Sequence, residues 1–324
     1  MKKILAMILA MLLALSMIAA LAVDDVSTIT VTKNFTATDG GVTPADTFTL
    51  SAITKITDDA VAGESGAPYP PDMPTFVSST LTFAEGQASQ TATINLPEYT
   101  RVGVYTYKFN EVVPDTKTSG VTYFGQEMHL VVTVVEDVDN GQVRVAAVHC
   151  EASDEDEKTD EFENTYASGT LEISKTVTGN MGDKTKYFEV TVTFAPAEGE
   201  TIKSTITYTG GQYTQGTVSN NKATIQIKDG DHVTFSNIPK GATWTVEEAD
   251  YTGDEEGNGY EAPVYSQKEG TMSAGGEQAC EIKNNKERTP DTGITLETLP
   301  YVLVLGIALV GVALMIIRRR RNED

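Results

Sequence analysis

Cysteine, histidine, tryptophan and basic residues are all scarce in this chain. Its only two cysteines, Cys150 and Cys280, permit one disulfide between them and exclude a framework of staples. The three histidines, His129, His149 and His232, are scattered, and no His/Cys/Asp spacing fits a zinc site. Glu136-Asp137-Val138-Asp139-Asn140-Gly141 superficially resembles a calcium loop, but it lacks the twelfth-position glutamate and fits a hairpin turn better. No phosphate-binding loop and no hydrolytic triad is present. The reading is therefore no metal, no cofactor and no turnover enzyme. Only 24 Lys and Arg face 46 Asp and Glu, a formal net charge of −22. Such an excess argues against nucleic acid or an anionic membrane as a partner, and it keeps an exported protein soluble. Sustained helical periodicity is missing from the whole interior.

What is present is concentrated first at the two ends. Lys2 and Lys3 precede an apolar stretch from Ile4 to about Ala19, and Ala20-Leu21-Ala22 supplies a small-x-small cleavage pattern. Residues 1–22 read as a removed signal helix, with Val23 as the mature N-terminus. At the other end, Leu299 to Ile317 is uncharged over 19 residues and is followed by Arg318 to Arg321. As a helix the run would span about 28 Å, enough to cross a bilayer, with the arginines held on the cytoplasmic side. Thr289-Pro290-Asp291-Thr292-Gly293 lies just before it. Motif, helix and basic tail in this order resemble a Gram-positive cell-wall sorting signal, the substrate of a sortase transpeptidase, with Thr289 where leucine is usual. The resemblance implies cleavage after Thr292, which leaves 270 residues. Without the terminal helices the remainder carries about −25.

The interior reads as all-β. Thr, Val, Ile, Tyr and Phe alternate in short runs broken by Gly, Asn, Asp and Pro. Strands are predicted at Thr28–Lys33, Thr47–Ser51, Thr91–Leu96, Val104–Val112, Leu130–Val135 and Gln142–Val148. A second group follows at Leu171–Val177, Phe188–Phe194, Ala223–Lys228, His232–Phe235, Thr243–Glu247 and Ala279–Lys283. Two tandem immunoglobulin-like β-sandwiches are expected, 23–167 and 168–288, ahead of the sorting signal at 289–324. Asp58 to Pro74, rich in Gly and Pro, reads as a long surface loop.

Three patterns occur once per half in the same order. Ile29-x-Val31-x-Lys33 matches Leu171-x-Ile173-x-Lys175; Tyr107-x-Phe109-x-Glu111 matches Trp244-x-Val246-x-Glu248; Phe162-x-Asn164 matches Ile282-x-Asn284. Side chains two apart share a strand face, so a lysine, a glutamate and an asparagine project from the apolar face in each half. One such residue alone is usually a solvated group at a sandwich rim. Two matched and ordered sets suggest that the three meet, because burying any one without partners is expensive. In the second half the adjacent Glu247 competes with Glu248 for the role.

If they meet, burial favours a neutral lysine amine, which is a nucleophile, and a protonated glutamic acid, which can polarise the asparagine carboxamide and shuttle protons. The product would be a Lys–Asn isopeptide bond, formed once, with loss of ammonia. Lys33/Glu111/Asn164 and Lys175/Glu248/Asn284 resemble the triads of Gram-positive pilin isopeptide domains, and the second half also resembles collagen-adhesin B-type modules. The resemblance implies a shaft subunit polymerised by a sortase into copies of itself and attached to peptidoglycan or a basal pilin. It also implies an acceptor lysine a few residues before the asparagine. Lys158, six before Asn164 in an acidic stretch, matches that position. A lone solvated lysine is the plainer reading of it. The rival is a monomeric wall-anchored adhesin or minor pilin, and no host surface ligand can be read from the residues.

Overall fold

The computed structural model describes residues 25–56, 61–62, 67–137, 141–152, 158–253, 259–288 and 299–321. The signal stretch 1–22 and the pentapeptide Thr289–Gly293 lie outside these. Backbone proximity groups the chain into two compact units. One comprises 1–176, 185–249 and 264–282, and the other 177–184, 250–263 and 283–324.

Two hydrophobic cores lie within the larger unit. The first is built from residues between Ile29 and Tyr166, the second from residues between Leu171 and Ile282. Around the first core, one sheet orders Val121–Thr122, Glu161–Tyr166, Thr28–Ala37, Ser89–Asn95 and Thr75–Phe76. The other orders Val143–Ala152, Glu127–Glu136, Gly103–Val112, Asp46–Leu50 and Thr80–Phe83. Around the second core, Ser168–Thr178 lies between His232–Pro239 and Glu277–Asn285 in one sheet, and Phe188–Ala195 lies between Lys222–Ile227 and Thr243–Glu248 in another.

The strands form where alternation calls for them because each buries one face. In Gly103–Val112, Tyr105, Tyr107, Phe109 and Glu111 are buried while their neighbours are partly or wholly exposed. The opening strand Thr28–Ala37 buries Val31, Lys33 and Phe35 in the same way. Each predicted strand is present, most of them extended by a residue or more at an end. The hairpin at Gly141 joins Glu127–Glu136 to Val143–Ala152, with Glu136 opposite Val143.

One open point closes and one expectation changes. Cys150 and Cys280 are free and buried, each in its own core, so the possible disulfide is not formed. The 58–74 stretch is not wholly a surface loop. Ala67–Pro68 pairs with Val61–Ala62. Tyr69 is buried edge-on against Tyr105 and Tyr107, its hydroxyl donating to the Thr106 carbonyl at 2.7 Å. Burial suits a tyrosine whose ring packs on other rings and whose hydroxyl finds a carbonyl.

The single helix among the described residues is Leu299–Arg321, on the uncharged run and the arginines. Its described side chains from Tyr301 to Ile316 are exposed. Among the described residues no helix is long and apolar enough to cross a membrane.

Candidate functional site

The opening and closing strands of the first core run parallel, with Lys33 opposite Phe162 and Phe35 opposite Asn164. Lys33 and Asn164 are thus diagonal neighbours on one inward face. Glu111 enters from the facing sheet, on the strand that pairs Leu50 with Glu111. All three are buried, Lys33 and Asn164 completely.

The contacts form a closed ring. Lys33 Nζ donates to Glu111 Oε2 at 2.5 Å and to Asn164 Oδ1 at 2.6 Å. Asn164 Nδ2 donates to Glu111 Oε1 at 2.7 Å. The Lys33 ammonium position also lies 4.4 Å from the Phe162 ring centre, 5.4 Å from Phe48 and 5.9 Å from Phe124. Burial among these rings pushes the Lys33 pKa down to about 8, against the pull of Glu111 and Glu163. An amine lowered this far is about one-tenth neutral at pH 7, far more than an ordinary lysine, and an amide stands a few ångströms away. Glu111 touches both the nucleophile and the nitrogen that would leave.

The carboxamide atom that Glu111 meets is the nitrogen of Asn164. The donors on the carbonyl oxygen are Lys33 Nζ and the backbone N–H of Phe124, at 2.6 Å. Phe124 and the aromatic box around Nζ escaped the sequence reading. A buried lysine implies a lining, yet the lining rings come from two separate strands and a loop.

In the second core Lys175 Nζ donates to Glu248 Oε1, both side chains fully out of water. Burial lowers the Lys175 pKa, with Glu248 opposing. The choice between adjacent glutamates falls on Glu248: Glu247 is 71 % exposed and pairs with Lys268. Lys175 sits 4.1 Å from the centre of the Phe188 ring. Asn284 belongs to the smaller unit and is completely buried near the end of Glu277–Asn285.

Lys158 is exposed. An isolated antiparallel bridge to Glu151 holds its backbone, and Thr159 N–H donates to the Cys150 carbonyl at 2.9 Å. A cavity of about 450 Å³ opens beside it, with Asn34, Gln126 and Glu161 among its lining. No group of three or more metal-ligating side chains assembles among the described residues.

Residues 29–167 match the family described as the Spy0128-like isopeptide containing domain. Residues 169–286 match a family described only as a domain of unknown function. A protein of Streptococcus pyogenes serotype M1 named "Pilin" is 27 % identical over 323 aligned residues, covering 90 % of each chain. The crystal structure of the major pilin from S. pyogenes superposes with a TM-score of 0.56 at 23 % identity, over 81 % of this chain and 99 % of that one. The T3.2 major pilin gives 0.55 at 18 %, over 82 % and 99 %. These two likenesses speak to the fold. By its shared domain and its full-length relative, the chain is a structural pilin of the cell surface and not an enzyme.

Proposed function

We propose that the chain is the shaft subunit of a sortase-assembled pilus, and that each of two immunoglobulin-like sandwiches, 23–167 and 168–288, closes on itself through a Lys–Asn isopeptide bond. The single observation carrying this is the Lys33–Glu111–Asn164 ring. A desolvated amine, a carboxylate and a carboxamide are hydrogen-bonded to one another in a dry interior. For the second bond the support is the buried Lys175–Glu248 pair and the buried Asn284.

The bond would be mechanical in purpose. Lys33 opens its sandwich and Asn164 nearly closes it, 131 positions on. By the loop-closure treatment used for disulfides, a ring of this size stabilises by about 5 kcal/mol. Under tension, load entering the opening strand leaves by the closing strand through a covalent link. The sheets between are never drawn out.

Assembly follows from the termini. Residues 1–22 direct export, 299–317 hold the chain in the membrane, and a sortase cleaves Thr289-Pro290-Asp291-Thr292-Gly293 after Thr292. The acyl group then passes to Lys158 of another copy, or finally to peptidoglycan or a basal pilin. Support for Lys158 is its exposure and its pinned backbone. Replacing Lys158 with Ala should abolish the high-molecular-weight ladder on blots of wall extracts. Survival of the ladder would exclude Lys158 as acceptor. A wild-type chain that forms no ladder would favour the monomeric adhesin or minor pilin.

A further inference from the structure

The carbonyl oxygen of Asn164 is the atom on which negative charge would develop during crosslinking, so the groups donating to it matter most. Two donate: Lys33 Nζ and the Phe124 N–H, each at 2.6 Å. The first must change role, because the lysine nitrogen attacks through its lone pair. The second is fixed in place. We propose that the backbone N–H of Phe124 is the oxyanion-stabilising donor of isopeptide formation in the first sandwich. This rests on the self-crosslinking reading above.

The segment before Phe124 is built to aim that amide. Thr118 Oγ1 donates to the buried Asp46 at 2.6 Å, and Thr118 N–H donates to the Tyr123 hydroxyl at 2.9 Å. Gly120 turns the chain with φ at 81°; a Cβ there would lie 2.6 Å from the Ala167 carbonyl oxygen. Only glycine fits both demands. Val121–Thr122 then pair antiparallel with Tyr166 and Thr165 of the closing strand. Two residues further, Phe124 is held against Asn164, its ring 5.6 Å from that of Phe162.

The step balances as follows. Neutral Lys33 Nζ attacks Asn164 Cγ, and the carbonyl electron pair moves onto Oδ1, where the Phe124 N–H holds it. Glu111, bonded to both nitrogens, carries one proton from Nζ to Nδ2. Collapse of the oxyanion restores the carbonyl, breaks the Cγ–Nδ2 bond and releases ammonia. An Nζ–Cγ amide remains. A fixed backbone dipole aimed at the developing charge needs no reorganisation, and this is the source of its effect in a dry site.

The test removes the N–H and nothing else. Cell-free synthesis of the full-length chain in detergent can place phenyllactic acid at Phe124, exchanging the amide for an ester and keeping the ring. The readout is the time course of the crosslinked peptide joining Lys33 to Asn164, measured by mass spectrometry after tryptic digestion. The ester chain should crosslink about 100-fold more slowly than wild type, the usual effect of one lost oxyanion donor. Phe124→Leu, which keeps the N–H, should show no comparable slowing. An ester chain that crosslinks at the wild-type rate, or a Phe124→Leu chain slowed as much as the ester, would overturn the assignment. A wild-type chain with no crosslink would instead defeat the crosslinking reading itself. Should the ester chain fail to fold, hydrogen exchange in the unreactive Glu111→Ala protein decides. The Phe124 amide should be protected there and lose protection when Asn164→Leu is added; unchanged protection overturns the assignment.

Discussion

Lys33 and Lys203 each touch a buried carboxylate, at 2.5 Å from Glu111 and 2.6 Å from Asp46, yet their surroundings set them far apart. Lys33 is sealed from water, whereas the Lys203 side chain is 42 % exposed and meets solvent. Glu111 also contacts an amide. Asp46 instead accepts from the Thr118 hydroxyl and from the Thr47 N–H, and among the described residues no carboxamide donates to it. A lysine beside a carboxylate is therefore an ordinary ion pair until desolvation frees its lone pair and an electrophile stands within reach. Both conditions hold at Lys33; neither holds at Lys203.

The comparison breaks most visibly at Asn164. Removing the electrophile with Asn164→Ala should cost about 5 kcal/mol by loop closure and lower Tm by about 10–20 °C in scanning calorimetry. A drop of only a few degrees would place Lys33 in the same class as Lys203. The same variant exposes the cost of burying the amine. With the lysine unreacted, its folded pKa of about 8 lies below the ordinary 10.5. Between these values the unfolded chain binds more protons than the folded one, so stability should rise as pH climbs from 8 to 10.5. The gain should approach about 3 kcal/mol in denaturant titrations, and a flat profile would deny the desolvation. The smallest effect belongs to Lys203→Ala. Losing a half-exposed partner should cost less than about 1 kcal/mol and leave the intact mass unaltered apart from the substitution.

Strand positions and the inward lysines, glutamates and asparagines were legible in the sequence because alternation with period two is a local signal. Ile29, Val31 and Lys33 share a face whatever the rest of the chain does. The same alternation, through Trp244 and Val246, chose Glu248 over the adjacent Glu247; the register across Phe188–Ala195 sets Val190 opposite Glu248. The Tyr69 anchor and the Phe124 amide were hidden. Both depend on where a loop is carried in space, and a backbone N–H has no letter in the sequence. The residue types suggested an acid against the Asn164 carboxamide, but not which of its two atoms that acid would meet; in the structure it is the nitrogen.

Intact-mass spectrometry of the purified chain probes most directly whether these dry clusters react. Wild type should weigh less than its sequence by two molecules of ammonia, and Glu111→Ala and Glu248→Ala should each restore one of them. A wild-type mass equal to that of the unmodified chain would contradict the covalent account in both halves.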